Sequence, residues 1–471
     1  MATKIHKKSA NSSVAEAMKM MEKHPGLAEA LLKQFLKHNP EHKAALELCG
    51  VIQHNLGKNE EAVVNFEKLT KLDPNYSDNW ANLGSAYGGL GLYEKAIEVI
   101  EHAIRMEPKQ SLYRNNLALQ YRAIGRYEDA IKQLNTAINL GPSAELWDNL
   151  GGIYVEMQNY DEAIKCYKTS VKLNPKFIPA QINLSLAYHF NGDWKNGFKQ
   201  YEWRFFYYQS LRGYLDVYDL KKMWDGKSNL KGKRVLVFGE QGYGDIIMFS
   251  RFLKDVKNLG AYVMFHVPQE MNTFFEGIEG VDEFVNCKIT DYDCVLPNYD
   301  YHFPLMSAPY LVEINEINGS PYVKNINQVD FLKKEKFNVG IVWSGNAQNP
   351  DDKERSIPVQ YFKLLSGIPD VELYSLQVDG SEIAQENEFI DLSKFITDFK
   401  STANLIKCLD LVICCDTAVA HIAGAIGSPV WDLIRFGPDW RWGQREEKTH
   451  WYNSMIQFHQ KERGNWEELF N

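Results

Sequence analysis

Two short segments combine an acidic residue, small residues and the start of a helix, the pattern of a site that handles an anion and a proton. The first is Gly239–Asp245, which follows the apolar run Arg234–Phe238. Gly242 and Gly244 allow the backbone to approach a ligand closely. Asp245 is a candidate general base if it lies at the carboxyl end of a sheet, and an N-cap if it serves only the helix. The sequence leaves both roles open.

The second segment, residues 410–431, is typical of a buried strand followed by a turn and a small-residue helix. Asp416 and Thr417 are predicted to begin the helix. Its first-turn N–H groups are open to an anion because the side chains there are small: Ala418, Val419 and Ala420. His421 lies one turn further in. A single histidine at such a place is either a core residue or an active one.

A third polar segment, residues 344–358, lies between these two. Ser344 and Gly345 follow a predicted strand, and Lys353 and Arg355 come from the loop after it. An arginine can grip a diphosphate through two parallel hydrogen bonds. The alternative is a solvated surface loop, which we favour for Lys353. A helix is predicted to begin at Ser356.

Two further patterns are less specific. Asp291 and Asp293 form the short D-x-D pattern of metal-dependent sugar transferases, but three residues match by chance often, and the pair leads into a predicted strand, Cys294–Pro297. The aromatic segment Asp439–Trp442 can stack on a base or sugar, or it can close the core between two halves. We therefore base no metal site on the first pattern.

The elements that must position these residues are alternating strands and helices. Strands are predicted at residues 234–238, 261–267, 337–343, 371–376 and 409–414, and a long helix at 246–256. Such alternation indicates parallel sheets, here in two Rossmann-like halves that join near residues 319–336. The glycine spacing G-x-x-G-x-G-D is not that of a dinucleotide-binding fingerprint.

The first part of the chain is a helical repeat. Pro40, Pro74, Pro108, Pro142 and Pro175 recur at intervals of 34, 34, 34 and 33 residues. Residues of the tetratricopeptide pattern occupy the unit 77–110: Trp80, Leu83, Gly84, Tyr87, Ala96, Ala103 and Pro108. Gly57, Gly91 and Gly125 mark the turns between paired helices. After Gly192, the segment GDWKNGFKQYEWRF stands in place of the usual second helix. The period predicts an α-solenoid.

An asparagine recurs at one position of the first helix in successive repeats: Asn82, Asn116, Asn149 and Asn183. Stacked repeats place these residues in a row on the concave face. A carboxamide both donates and accepts, so such a row suits an extended peptide. It resembles the asparagine ladder of the protein O-GlcNAc transferases. The alternative is that each asparagine bonds to a neighbouring helix.

Composition limits the class of protein. The chain has 471 residues, 45% of them hydrophobic, and a net charge of −9, which argues against a nucleic-acid-binding protein. The seven cysteines show no metal or disulfide spacing, which is typical of reduced cytosolic thiols. No apolar run is long enough to span a membrane, and the first residues lack a secretory pattern. We expect a cytoplasmic protein, whose oligomeric state the sequence does not indicate.

The combination of motifs resembles a known family. The α/β part resembles the heptosyltransferase-type glycosyltransferases of family 9, which have two Rossmann-like halves in the GT-B arrangement. The whole chain resembles bacterial tetratricopeptide proteins with this transferase fused behind the repeats. The motifs that carry the second resemblance are Gly192–Arg204, Glu240–Asp245, Asp300–Ser307, Arg355–Pro358 and Asp439–Trp442. Asp432 departs from the family, which usually has an apolar residue after the tryptophan.

The repeat period, the strand pattern and the resemblance together predict a domain plan. The repeat array covers residues 1–211, with well-formed repeats at 43–177, and a linker covers 212–230. The first Rossmann-like half, 231–325, is the acceptor side, where Gly242, Gly244 and His302 lie. The second half, 326–471, is the nucleotide-sugar side.

The resemblance also implies a mechanism. A nucleotide-diphospho-sugar is the donor substrate, no separate cofactor is needed, and Asp245 deprotonates an acceptor hydroxyl in one inverting, metal-independent displacement. Asp416 is expected to hold the donor sugar and Gln377 to line the nucleotide pocket. The remaining donor-side residues are Ser344, Gly345, Lys353, Arg355, Thr417, Ala418, Val419 and His421.

Two functions follow from this sequence. One is a glycosyltransferase acting on a protein, peptide or glycan. The other is a binding scaffold, in which the repeats dock a partner and the α/β part is an inactive relative of the enzymes. The presence of both Asp245 and the Arg355, Asp416 and His421 set favours the enzyme.

Overall fold

The protein is described here from a computed structural model. The structure describes residues 13–207, 218–286, 295–329, 335–346, 352–443 and 447–470. The chain forms two compact units, residues 1–183 and 184–471. The boundary between them falls inside one helix. The predicted domain boundaries, including the one at residue 211, stay predictions.

The first unit is built from antiparallel helix pairs, with residues 13–20 also helical. Its helices are α1 (Pro25–His38), α2 (Lys43–Asn55), α3 (Asn59–Leu72), α4 (Ser77–Gly89), α5 (Tyr93–Met106), α6 (Ser111–Ala123), α7 (Tyr127–Leu140), α8 (Ala144–Glu156), α9 (Tyr160–Leu173) and α10 (Ile178–Phe190), whose last turns belong to the second unit. Small residues let the paired helices pack closely. The predicted α-solenoid is therefore present.

The turns within the helix pairs need a left-handed residue. Gly57, Gly91 and Gly125 have φ of +75°, +74° and +73°, as a glycine readily adopts. Gln158 takes the same place in the next repeat with φ of +58°. A side chain with a Cβ is strained in this conformation.

The second unit begins with short helices and continues as an α/β structure. In chain order its elements are α11 (Trp194–Tyr201), α12 (Arg204–Tyr207), β1 (Arg234–Phe238), α13 (Tyr243–Ser250), α14 (Leu253–Asn258), β2 (Tyr262–His266), α15 (Asn272–Phe275), β3 (Glu283–Val285), β4 (Tyr301–Pro304), α16 (Ala308–Leu311), β5 (Phe337–Val342), α17 (Asp352–Arg355), α18 (Val359–Leu365), β6 (Val371–Ser375), α19 (Ser381–Glu386), β7 (Ile390–Asp391), α20 (Phe399–Cys408), β8 (Leu411–Cys415), α21 (Ala418–Ile426), β9 (Val430–Ile434) and β10 (Met455–His459). The segment after Gly192 is thus a shortened second helix, α11.

Two parallel sheets organise this unit. The first has the strand order β3-β2-β1-β4, and the second has the order β10-β9-β8-β5-β6-β7. All the pairings between these strands are parallel. Side chains from both sheets share one continuous core, in which α13 packs against α21. The predicted two-sheet α/β architecture is confirmed.

The structure corrects three expectations about elements. The helix predicted over 246–256 is broken at Arg251, whose side chain donates to the carbonyl of Met248 over 2.9 Å. Such side-chain bonds compete with helix continuation. The polar loop after Gly345 contains a helical turn, α17, and the next helix begins at Val359 rather than Ser356.

The third correction concerns the strand predicted at 294–297. Residues 295–297 are not a strand, and Val295 is 86% exposed. The place beside β1 is taken by β4, a few residues further along the chain. Asp291, Asp293 and Cys294 lie outside the described residues.

In the part of the chain that the structure describes, no helix is both long and apolar enough to cross a bilayer. Four of the described cysteines are buried free thiols: Cys49, Cys166, Cys414 and Cys415.

Candidate active site

The candidate site lies where two helices begin, one from each sheet. The loop after β1 leads into α13, and the turn after β8 leads into α21. Both loops follow the carboxyl ends of parallel strands, where ligands bind in open α/β sheets. A Cβ on Gly244 would lie 2.6 Å from Cδ2 of His421, so only a glycine permits this approach of the two helices. The fold thereby joins segments that are far apart in the sequence.

Asp245 lies in the first turn of α13. Its Oδ2 accepts the backbone N–H of Gly242 over 3.1 Å, and its Oδ1 forms an ion pair of 2.6 Å with Nη2 of Arg441. The N-cap of α13 is Gly242, so Asp245 is not the N-cap that one sequence hypothesis expected. Its carboxylate bonds to that N-cap from the third helical position and also faces a cation from the second half. Its side chain is 17% exposed, which leaves it within reach of a small group.

The protonation of Asp245 depends on two opposing effects. Burial raises the pKa of the Asp245 carboxyl, and the charge of Arg441 opposes this shift. The ion pair therefore favours the deprotonated form, which a base requires.

Arg441 is a site residue that the sequence analysis does not predict. Besides Asp245, it contacts Asp439 over 2.7 Å and Gln241 over 3.2 Å, and its guanidinium lies 4.8 Å from the ring centre of Trp440. The segment 439–442 was interpreted only as an aromatic cluster. The sequence signal for this residue is an arginine between two tryptophans. A cation buried among aromatic residues needs carboxylate partners, so such an arginine indicates an ion pair.

His421 is a buried, neutral residue. Its Nδ1 lies 3.0 Å from the Tyr452 hydroxyl, and its ring stacks on Trp442 with centroids 5.1 Å apart. Burial, aided by the charges of Arg441 and Arg251, lowers the pKa of His421 to about 3. His421 therefore supplies no positive charge at neutral pH. Its contacts agree with the core role that the sequence left open.

The residues predicted for the donor side form a connected group after β5 and β6. The N–H of Ser344 donates to Oε1 of Gln377 over 3.2 Å, and the N–H of Gly345 donates to Oδ1 of Asp352 over 3.1 Å. Asp352 also accepts Nε of Arg355 over 3.0 Å. The buried Asp352 was not predicted, although it orients Arg355. Each of these groups thus comes to the carboxyl end of the second sheet.

Lys353, by contrast, is exposed, as the sequence favoured.

The start of α21 is close to this group. Burial raises the pKa of Asp416, and the cations Arg355 and Arg441 are near enough to oppose the shift. Thr417 is in the N-cap position, but its side chain makes no capping hydrogen bond. Its buried Oγ1 has no hydrogen-bond partner among the described residues. Ala418 and Val419 follow. The residues of the first turn therefore have short side chains, which leave their N–H groups accessible to an anion.

His302 is not part of this grouping. It lies on β4, fully buried, and its Nε2 is 2.9 Å from the backbone oxygen of Asp219. Its register partner on β1 is Leu236, which packs on the face of the sheet opposite to the α13 side. The expected role of His302 in acceptor binding stays a prediction, with no exposed surface to support it.

The asparagine row of the first unit is engaged in contacts between repeats. Three of the amides donate to a polar side chain of the preceding repeat: Asn116 to Ser85 over 3.2 Å, Asn149 to Asn115 over 2.8 Å, and Asn183 to Asp148 over 3.0 Å. Asn82 is half-buried. These bonds support the alternative in which the asparagines link neighbouring helices. Peptide binding by the row stays a prediction.

Comparison with known proteins agrees with both parts of this structure. Residues 24–77, 77–110 and 144–177 match tetratricopeptide-repeat families, and residues 385–456 match glycosyltransferase family 9 (heptosyltransferase). The chain carries tetratricopeptide repeats and a family 9 glycosyltransferase segment. The resemblance drawn from the motifs is confirmed, and the matched segment contains Asp416 to His421.

The individual relatives are distant. The chain is 24% identical over 299 residues to the protein FlbA of Caulobacter vibrioides, a match that covers 52% of this chain and 46% of FlbA. It thus spans less than half the length of that relative. A tetratricopeptide-repeat protein of Thermus thermophilus is 24% identical to this chain, with a TM-score of 0.36. The match covers 38% of this chain and 98% of the Thermus protein. MamA of Desulfovibrio magneticus is 22% identical, with coverages of 36% and 96% and a TM-score of 0.31.

Proposed function

We propose that the second unit is a glycosyltransferase that moves a sugar from a nucleotide-diphospho-sugar to an acceptor hydroxyl. The observation that carries this proposal is the approach of Asp245, from the first sheet, to the start of α21, from the second, through the Gly244–His421 contact. A base from one sheet and an anion site from the other suit a displacement at carbon. The family 9 match over 385–456 supports the reaction class.

The proposed step begins when Asp245 accepts the proton of an acceptor hydroxyl. The hydroxyl oxygen then forms a bond to the anomeric carbon, while the bond to the diphosphate oxygen breaks and the electron pair leaves with the nucleoside diphosphate. One such displacement inverts the anomeric configuration, through an oxocarbenium-like transition state. Asp416 is proposed to hold the donor sugar.

The leaving diphosphate needs compensating positive charge. Arg355 supplies a guanidinium oriented by Asp352, and the first-turn N–H groups of α21 supply the positive end of a helix dipole. We propose that these groups make the reaction independent of a metal. Gln377, held against the N–H of Ser344, is proposed to line the nucleotide pocket.

The acceptor is proposed to be a protein, a peptide or a glycan hydroxyl. The repeats of the first unit offer a surface for a protein acceptor, with the asparagine row as its candidate contact.

The proposal is tested with Asp245→Asn in the full chain. Release of nucleoside diphosphate is measured for a panel of sugar nucleotides. We expect turnover to fall at least 100-fold, since general-base catalysis contributes about 10² to 10⁴ in rate. Asp255→Asn, on the neighbouring helix α14, is the matched control and keeps its activity. If Asp245→Asn turns over like the natural protein, Asp245 is not the base.

A second candidate is a binding scaffold with an inactive transferase-like part. The observation that favours it is that both oxygens of Asp245 are engaged, one by Arg441 and one by Gly242. In that case no sugar nucleotide is turned over, and none stabilises the protein against heating.

A further inference from the structure

A buried ion pair lies immediately before the loop that carries Asp245. Arg204 follows the short helix α11 and is fully buried, and Glu240 directly follows Gly239 and is 1% exposed. Nη2 of Arg204 donates to Oε1 of Glu240 over 2.7 Å, and Nε donates to Oε2 over 3.1 Å. The two contacts form the planar fork that only an arginine can make with a carboxylate.

The pair is embedded in a connected polar group. Arg204 also donates to Glu202 over 2.5 Å and to the Ser307 hydroxyl over 2.8 Å, and that hydroxyl lies 2.9 Å from Glu202. The N–H of Met306 donates to Oε1 of Glu240 over 3.1 Å. Glu240 is therefore held from two directions, by Arg204 at the start of α12 and by Met306 just after β4.

The next residues need such an anchor. Gln241 has φ of +62°, a left-handed conformation that a residue with a Cβ adopts only when its surroundings enforce it. Gly242 then donates its N–H to Asp245, and the Gln241 side chain contacts Arg441. The conformation of this short loop thus sets both contacts of the Asp245 carboxylate.

Stability alone is a poor explanation for this arrangement. Charged groups lose their hydration on burial, and apolar residues of similar size often stabilise a core as well as a buried ion pair does. Unlike a contact between apolar residues, the two parallel hydrogen bonds fix the orientation of the Glu240 carboxylate relative to Arg204. The pair therefore points to a geometric role.

We propose that Arg204 is a positioning residue for the loop 239–242, and that through Glu240 it sets the orientation of Asp245 without touching substrate. The catalytic part of this inference rests on the proposed role of Asp245 as the base. The positioning part stands on the loop geometry alone.

The positioning part is tested by hydrogen–deuterium exchange on the full chain, with Arg204→Lys and, as a second variant, Glu240→Gln. The reporting amides are Gly239, Gly242 and Ile246, which donate within and around the loop. We expect exchange in the peptide 239–250 to become at least tenfold faster, and the peptide 262–275 to be unchanged. Arg122→Lys, which alters an arginine paired with Glu156 over 2.6 Å in the repeats, is the matched control.

The catalytic part uses the sugar nucleotide that stabilises the protein most. We expect kcat for nucleoside diphosphate release to fall at least tenfold in Arg204→Lys, with KM for the sugar nucleotide within twofold of the natural protein. KM is spared because the proposed donor groups lie on the second sheet. Arg122→Lys keeps both constants.

The outcomes separate the two proposals. Unchanged exchange in 239–250 in both variants overturns the positioning role, and so does equal acceleration in 239–250 and 262–275, which marks a general stabiliser. If the natural protein releases no nucleoside diphosphate, the proposed function fails, while the exchange result still decides whether Arg204 positions the loop.

Discussion

At the scale of single residues, the ion pair between Asp245 and Arg441 defines the chemistry that the site can perform. Burial raises the pKa of the Asp245 carboxyl, and the charge of Arg441 at 2.6 Å opposes that shift. Arg441 is itself held by Asp439. Asp439, Arg441 and the proposed base Asp245 thus form two successive ion pairs that share Arg441.

Buried histidines make the stability of the second unit depend on pH. Burial lowers the pKa of both His189 and His421 to about 3, from an ordinary value of 6.5. Between those values the unfolded chain binds protons that the folded chain does not, so stability is lost as the pH falls below 6.5. Each histidine contributes about 1.4 kcal/mol of loss per pH unit.

We therefore predict that His421→Gln flattens this pH dependence. Urea unfolding at pH 6.5, 5.5 and 4.5 is expected to show a slope about 1.4 kcal/mol per pH unit smaller than that of the natural protein, whatever the variant costs at neutral pH. His24→Gln, at an exposed position of the first unit, is the control. An identical slope in His421→Gln would show that His421 is protonated in the folded protein.

At the scale of elements, the contact of α13 with α21 brings the two parts of the candidate site together. The contact depends on Gly244, because any Cβ there meets the His421 ring at 2.6 Å. We predict that Gly244→Ala destabilises the protein by about 1–3 kcal/mol, as overpacking does. It is also expected to lower sugar-nucleotide turnover at least tenfold, because it moves Asp245 away from α21.

Thermal unfolding and turnover assays check this prediction. Gly367→Ala is the matched control, since its Cβ would meet its nearest neighbour, a backbone oxygen, at 3.5 Å, an ordinary contact. Turnover of Gly244→Ala at the natural rate would mean that the close approach of the two helices does not matter for the reaction.

In the repeats, the left-handed turn residue gives an independent prediction. Gln158 is exposed and has φ of +58°, whereas the equivalent positions in preceding repeats are glycines. Gln158→Gly is expected to stabilise the protein by about 0.5–1 kcal/mol, because glycine has no Cβ strain in this region. Urea unfolding of the first unit measures the difference. The reverse change, Gly125→Gln, is expected to destabilise by a similar amount, and a stability change of the other sign in either variant would refute the argument.

At the scale of the whole molecule, the proposed donor site in the second unit has a consequence that can be measured without an acceptor. A ligand that binds only the folded protein increases the free energy of unfolding by mass action, by about 2.7 kcal/mol at 100 times its Kd. The melting temperature rises as a result. We predict that one nucleoside diphosphate or its sugar nucleotide stabilises the protein by several degrees, and that EDTA does not reduce the shift.

The control for this measurement is Arg355→Gln, which removes the proposed diphosphate contact and is expected to reduce the shift. A shift that disappears with EDTA would contradict metal independence. The absence of any shift across the panel would support the scaffold alternative.

The sequence by itself determined the local structure of this protein. The repeat period, the turn glycines and five of the ten described strands were predicted, because each depends on a pattern within about 40 residues. The break at Arg251 and the helical turn Asp352–Arg355 were missed, since both depend on side-chain bonds that local propensity does not encode.

Only the tertiary structure decided which of the predicted residues lie together. It placed Asp245 beside α21, revealed Arg441, Asp352 and Arg204 as partners, and put His302 on the other face of its sheet. These contacts join residues separated by up to about 200 positions, and their formation depends on how two sheets share one core. A single sequence records which residues need partners, such as a buried arginine, but the packing of the sheets selects the partner.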